Sequence, residues 1–357
     1  MKNLYYLLIL VLLSGVSCTK EDPKIKAAED YIEQLRVESE SVGWTATVSI
    51  DNNIVFSKGF GLGNYEQQVA VYPEKTKFRI GSISKALTAA GLGILIDEGK
   101  IDLDAPVQKY VPDFPEKKYQ ITTRQVAGHL AGIRHYNGDE FLSSKFYPTV
   151  KEGLEIFMND TLLFEPGTQY SYSSYGFNLL SAVMEGASGE EFLQFMQTRV
   201  FNPIGMTETT AERMDSLILF RSGYYDMDKG KIINAPYVDN SYKWAGGGFI
   251  STSVDLVKFG NAMLNNTLFP EEVKQQLITP QTLKNGEKTT YGMGFSSGTD
   301  EFGREYFGHG GGSVGGCSNL IIYPKEKMVV AVITNDTRAK VGNELHKIVE
   351  ILLGEEQ

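Results

Sequence analysis

Strand patterns gather at the two ends of this chain, and helical patterns fill its middle. Near the start, residues 45–50 and 54–61 are β-rich runs on either side of the polar turn Asp51-Asn52-Asn53, a hairpin signature. Near the end, residues 291–296, 305–309, 318–323 and 328–334 carry strand patterns of the same kind. The intervening stretches 123–131, 150–159, 176–185, 190–200 and 253–264 have apolar residues at helical spacing. An amphipathic helix is expected over 24–41 and a further helix over 340–353. Both ends therefore belong to one antiparallel sheet, with a mostly helical region inserted between them: an α+β fold. Residues 24–102 and 284–357 form the sheet part, and 103–283 the helical part. A site is expected in the crevice between the two parts.

With 42% hydrophobic and 22% charged residues among 357, the chain can bury a large core. A formal charge of -10 argues against nucleic acid, which demands a basic patch. The first 17 residues read as an export signal: Lys2, an apolar run over 4–13, then Ser14-Gly15-Val16-Ser17 before Cys18. Cys18 has the placement of a bacterial lipoprotein acceptor, with 18–23 as linker. The expectation is an exported protein, lipid-anchored at the outer membrane and touching the membrane only through that lipid; ordinary secretion is the alternative. With Cys18 acylated, Cys317 is left alone and no intrachain disulfide can form. Cys317 lies in a strand-like run and reads as a buried structural cysteine.

Within Phe78-Arg79-Ile80-Gly81-Ser82-Ile83-Ser84-Lys85, a hydroxyl and an amine stand one helical turn apart at the head of an apolar helix. Ser82 is the candidate nucleophile. The helix start offers free N–H groups and a positive dipole end for an oxyanion. Spacing alone is weak evidence, since Ser17-Cys18-Thr19-Lys20 has it too. Context separates the two: Tyr172-Ser173-Ser174 follows the turn Glu165-Pro166-Gly167-Thr168, and His309-Gly310-Gly311-Gly312 lies in a strand pattern.

This order of motifs resembles the serine β-lactamase and penicillin-binding superfamily, on its class C and esterase side. The blocks over 109–136 and 236–264 are similar to its mitochondrial serine β-lactamase-like (LACTB) type, and the similarity spans nearly the whole mature chain. The resemblance implies a β-lactamase/transpeptidase-like fold and a serine hydrolase without metal or cofactor, working through an acyl-enzyme on Ser82. It places Lys85 against Ser82 with the Tyr172 hydroxyl facing both, either being the formal base. It sets His309 where β-lactamases usually carry Lys, which argues against antibiotic hydrolysis as the main activity. It makes Ser174, Gly311 and Gly312 the substrate-binding positions, Ser174 replacing a usual Asn, with the N–H groups of Ser82 and Gly312 as oxyanion hole. It implies peptidase action, preferring cleavage after acidic residues, and assembly into oligomers or filaments. An esterase or D-amino-acid peptidase acting on cell-wall fragments is the second reading, and a lipid-anchored scaffold the third.

Other residues are read more plainly. His129 reads as packing, and the four histidines at 129, 135, 309 and 346 have no metal-ligand spacing. Arg134, His135 and Arg304 are weighed as anchors for an acidic substrate group against a solvated surface role. The run Gly246-Gly247-Gly248 lacks a following Lys-Ser/Thr and reads as a tight strand, not a phosphate loop.

Overall fold

The computed structural model describes residues 22–354; the export signal and Cys18 lie outside the described residues. Seven strands form one sheet: β1 (Gly43–Ile50), β2 (Asn53–Asn64), β3 (Val69–Ala70), β4 (Ser296–Thr299), β5 (Glu305–Ser313), β6 (Gly316–Tyr323) and β7 (Met328–Thr334). Their order is β3-β2-β1-β7-β6-β5-β4, each neighbour antiparallel. The two chain ends meet at its centre, where Trp44 of β1 stands opposite Thr334 of β7 and Ile50 opposite Met328.

β7 reads Met-Val-Val-Ala-Val-Ile-Thr and is buried at every position, as a strand covered on both faces requires. β1 shows how the faces divide. Trp44, Ala46 and Val48 pack into an apolar cluster with Ile32 of α1 (Pro23–Glu38) and Ile348 of the C-terminal helix. Thr45, Thr47 and Ser49 point the other way, to the helix Ser253–Leu264. There Thr45 and Thr47 share the Ser253 hydroxyl at 2.7 and 2.8 Å, and Ser49 donates to Asn261 at 2.8 Å. Each of these three buried hydroxyls thus finds a partner.

That second face also carries α2 (Ile83–Asp97), buried from Ile83 to Leu95. A helix apolar all round belongs inside a core. The remaining helices of eight residues or more among the described residues are α3 (Ser174–Ser188), α4 (Ser253–Leu264), α5 (Glu271–Ile278) and α6 (His346–Leu353).

Several sequence-based expectations are corrected by local backbone. The helix expected over 123–131 stops at Ala127, because His129 adopts a left-handed φ of 61°. The one over 150–159 is helical only over Val150–Leu154, and the one over 190–200 divides into Phe192–Phe195 and a wider turn, Met196–Phe201. The strand expected over 291–296 shrinks to a single Tyr291–Ser296 bridge. Gly294 breaks it with a φ of 88°, and a Cβ there would lie 2.8 Å from the Lys85 carbonyl of α2. The Gly246–Gly248 segment is not a strand: Trp244–Gly247 is a helical turn, and the strand begins at Phe249. Two small sheets were not foreseen, Phe78–Arg79 with Phe249–Ser251 and Thr210–Ala211, and the hairpin of Tyr225–Asp228 with Lys231–Asn234.

Candidate active site

Gly81 builds the nucleophile turn. Its φ is 48°, and a Cβ would sit 2.6 Å from the Gly312 oxygen and 2.8 Å from the Gly312 nitrogen. Only glycine lets this turn press against β5 so closely. Ser82 follows as the residue capping α2, half-buried, with its side chain making no cap hydrogen bond. The hydroxyl is left free for other work. Its backbone N–H has no partner among the described residues, while Gly312 beside it presents open space where a side chain would be.

Lys85, one turn into α2, is fully buried. Its Nζ lies 3.1 Å from Ser82 Oγ, 3.0 Å from Ser174 Oγ and 2.5 Å from the Gly246 carbonyl. Burial, and after it the charge of Lys243, pushes its pKa well below the ordinary lysine value. A neutral amine here donates twice, to Ser174 and Gly246, and keeps its lone pair for the Ser82 hydroxyl.

Tyr172 and Ser174 arrive together at the start of α3. Ser173 caps that helix, accepting from the Gly176 N–H at 3.0 Å. This frees the neighbouring Ser174 hydroxyl to meet Lys85. Two imidazoles then anchor the backbone: His129 Nδ1 accepts from the Ser173 N–H at 3.2 Å, and His135 Nδ1 from the Ser174 N–H at 3.1 Å. The Tyr172 ring is walled by His129, His135 and His309, centroids 4.4, 5.6 and 6.2 Å away, and Lys85 Nζ lies 4.7 Å from its centre. Burial raises the Tyr172 pKa above the ordinary phenol value, opposed by a hydrogen bond with Ser82.

On β5, His309 Nδ1 lies 2.5 Å from the Gly310 carbonyl, which can only accept. The ring proton therefore sits on Nδ1, and Nε2 accepts from the Tyr291 hydroxyl at 2.9 Å. Burial, then the Lys85 charge, draws the His309 pKa down to about 3. His135 is drawn to about 4 by burial, then by Lys85 and Lys243. Both rings are neutral at pH 7, so neither supplies a cation.

Ser82, Lys85, Tyr172, Ser174, His309 and Gly312 thus gather from three distant segments at one place. The remaining substrate-binding candidate, Gly311, lies two residues along β5 from His309 and so on the same face, with its missing Cβ pressed on the Ile80 carbonyl beside the nucleophile turn and on the Ser318 hydroxyl.

A profile of the Beta-lactamase family matches residues 28–353. The chain belongs to that family. The human serine beta-lactamase-like protein LACTB, mitochondrial, is 34% identical over 85% of this chain and 72% of its own length. A D-aminopeptidase of Gluconobacter oxydans is 28% identical over 83% of this chain and 56% of its own. The octameric penicillin-binding protein homologue from Pyrococcus abyssi superposes with a TM-score of 0.80 at 25% identity, over 93% of this chain and 78% of that one. The chain has the β-lactamase/transpeptidase-like fold, and it is an enzyme of a family whose members are serine hydrolases.

The cations considered from sequence are committed elsewhere. Arg134 pairs with Glu140 at 2.7 Å and Asp160 at 2.6 Å, and Arg304 with Asp300 at 2.8 Å. Cys317 is half-buried, its thiol donating to the Thr337 carbonyl at 3.3 Å, and burial lifts its pKa to about 11. What sequence reasoning missed is Lys243, together with the Gly246 carbonyl and Tyr291. The one available signal was a lysine between Tyr242 and Trp244, just before the glycine run.

Proposed function

We propose that this chain hydrolyses amide or ester bonds through an acyl-enzyme on Ser82, as a LACTB-like peptidase. The observation that carries the reading is the buried Lys85 amine 3.1 Å from Ser82 Oγ, its other contacts taken by Ser174 and Gly246. Ser82 Oγ attacks the carbonyl carbon while its proton passes to the Lys85 lone pair. The oxyanion settles between the N–H groups of Ser82 and Gly312, each such donor typically contributing about 3–4 kcal/mol to the transition state. The scissile C–N or C–O bond then breaks. The leaving amine or alkoxide takes a proton relayed from Lys85 through the Tyr172 hydroxyl. Water attacks the Ser82 ester next, gives its proton to the same pair, and releases the acid with Ser82 restored. Opposite pKa shifts favour this division: a lowered Lys85 accepts the proton, while a raised Tyr172 stays a phenol and hands protons on. His309 positions the strand edge through Tyr291 and carries no charge.

The D-aminopeptidase relative supports a second reading, an esterase or D-amino-acid peptidase working on cell-wall fragments. Side-by-side turnover of acetyl esters, D-Ala-D-Ala peptides and Asp-containing peptides separates the two. The Cys18 motif supports lipid anchoring at the bacterial envelope, and the octameric homologue supports self-assembly. The direct test of the chemistry is Ser82→Ala. It should abolish both fluorophosphonate labelling and peptide turnover, and full labelling of the variant would remove Ser82 from the nucleophile role.

A further inference from the structure

Lys243 is the second buried lysine of the site, 2% exposed, yet its ammonium has no hydrogen-bond or salt-bridge partner among the described residues. Its setting is unusual for a lysine. The nitrogen lies 4.2 Å from the centre of the Phe141 ring and 5.1 Å from those of Tyr136 and Tyr242. The nearby carboxylate, Glu212, acts on it only at a distance and bonds elsewhere. Both Glu212 oxygens are held by Arg79 Nε, at 2.9 and 2.8 Å, and one of them by Asn240 Nδ2 at 2.6 Å.

The position is next to the chemistry. Lys243 starts the turn that delivers the Gly246 carbonyl to Lys85. A Cβ built on Gly247 would stand 3.8 Å from Gly81 and 3.9 Å from Lys243 Cδ. The glycine thereby leaves a side-chain-free gap between the nucleophile turn and the lysine stem. On the other side, Tyr136 bridges from the Lys243 ammonium to Ser174, which holds Lys85. Arg79, Glu212, Lys85 and His135 are the charged or titratable groups that act electrostatically with Lys243, and the only carboxylate among them is already paired.

Resting on the serine-hydrolase reading, we infer that Lys243 is the specificity-determining residue of this site, holding a carboxylate of the substrate while Ser82 attacks its carbonyl. An unpaired buried cation is costly, and an incoming anion satisfies it. Burial, then Arg79, draws the Lys243 pKa to about 7, against Glu212, so the bare ammonium is only marginally held. The assignment also accounts for the site tolerating a neutral imidazole at position 309: the cation comes from Lys243 instead.

The carboxylate can come from the side chain of the acyl residue or from the C-terminus of the leaving group, and paired substrates separate these sources. The experiment measures kcat/KM for peptides with Asp against Asn at the acyl position, and for free-acid against amidated leaving groups, in the wild type, Lys243→Gln and Lys243→Arg. Fluorophosphonate titration counts folded, competent sites in each. In one arm the wild type should favour the acid by about ten- to hundredfold, mainly through KM. Lys243→Gln should bring that ratio near one, and Lys243→Arg should keep most of it. A residue that merely packs would lower both members of a pair together. An unchanged acid-to-amide ratio in Lys243→Gln, or a wild type that labels at Ser82 and turns over esters without preferring acids in either arm, overturns the inference. Failure of a folded wild type to label at Ser82 contradicts the hydrolase reading itself, and this inference with it.

Discussion

The two faces of the sheet are built on different principles. Under the terminal helices, Trp44, Ala46, Val48, Ile32, Val330 and Ile348 make a dry apolar layer with no chemistry in it. On the other face the chain buries amines, imidazoles, phenols and hydroxyls around Ser82, and glycines at 81, 246 and 294 bring backbones into contact. The first face is held by area removed from water, which tolerates small errors of shape. The second is held by close approach and by polar groups that each need a named partner, so a single methyl or proton disturbs it. Stability and catalysis should therefore fail at different positions.

The largest expected effect is on the catalytic face: Ser82→Ala should lower turnover by about 10⁴-fold or more, with an almost unchanged urea midpoint. Ile348→Ala should do the reverse. It is fully buried in the apolar layer, so its truncation should cost about 2–5 kcal/mol in urea unfolding while kcat/KM per folded molecule stays as it was. A fall in kcat/KM without lost stability would erase the distinction between the faces.

Gly81→Ala sharpens the comparison, because one methyl would meet Gly312 at 2.6–2.8 Å. Displacing the nucleophile turn should lower kcat by about a hundredfold, with titration confirming that the sites remain folded. Acid should also act on the catalytic face. Folded His309 takes a proton only near a pKa of about 3, against 6.5 ordinarily. The unfolded chain binds that proton first, so stability is full above pH 6.5 and falls as pH drops towards 3. At pH 5 the loss from this group should be about 2 kcal/mol. His309→Asn should flatten that slope in urea titrations at successive pH values, and an unchanged slope would contradict a neutral buried ring. Smallest is Ser253→Ala, which strips Thr45 and Thr47 of their shared partner and should cost about 1 kcal/mol in the same measurement.

The same contrast explains what the sequence made legible. The terminal helices and β2 followed from period-3.6 and period-2 patterns, because one side of each is exposed and the other apolar, whereas β7, buried on both faces, showed as a continuous apolar run. Ser82, Lys85, Tyr172 and His309 were legible as motifs, each a local arrangement of residues. The helix ends at Ala127 and Leu154 were not, since left-handed His129 and the packing of the following turns are tertiary outcomes. Lys243 was invisible for a stronger reason. A lysine between two aromatic residues looks like any surface lysine until Phe141, Tyr136 and Gly247 close around it from other parts of the chain.

Intact-mass spectrometry of the protein quenched during turnover of a slow ester or peptide goes to the centre of this account. It should show one acyl group per molecule, mapped by digestion to the peptide containing Ser82 and absent from Ser82→Ala and Lys85→Met. An adduct on another residue, or acylation of Ser82 at an undiminished rate in Lys85→Met, would contradict the claim that the buried amine takes the proton from that hydroxyl.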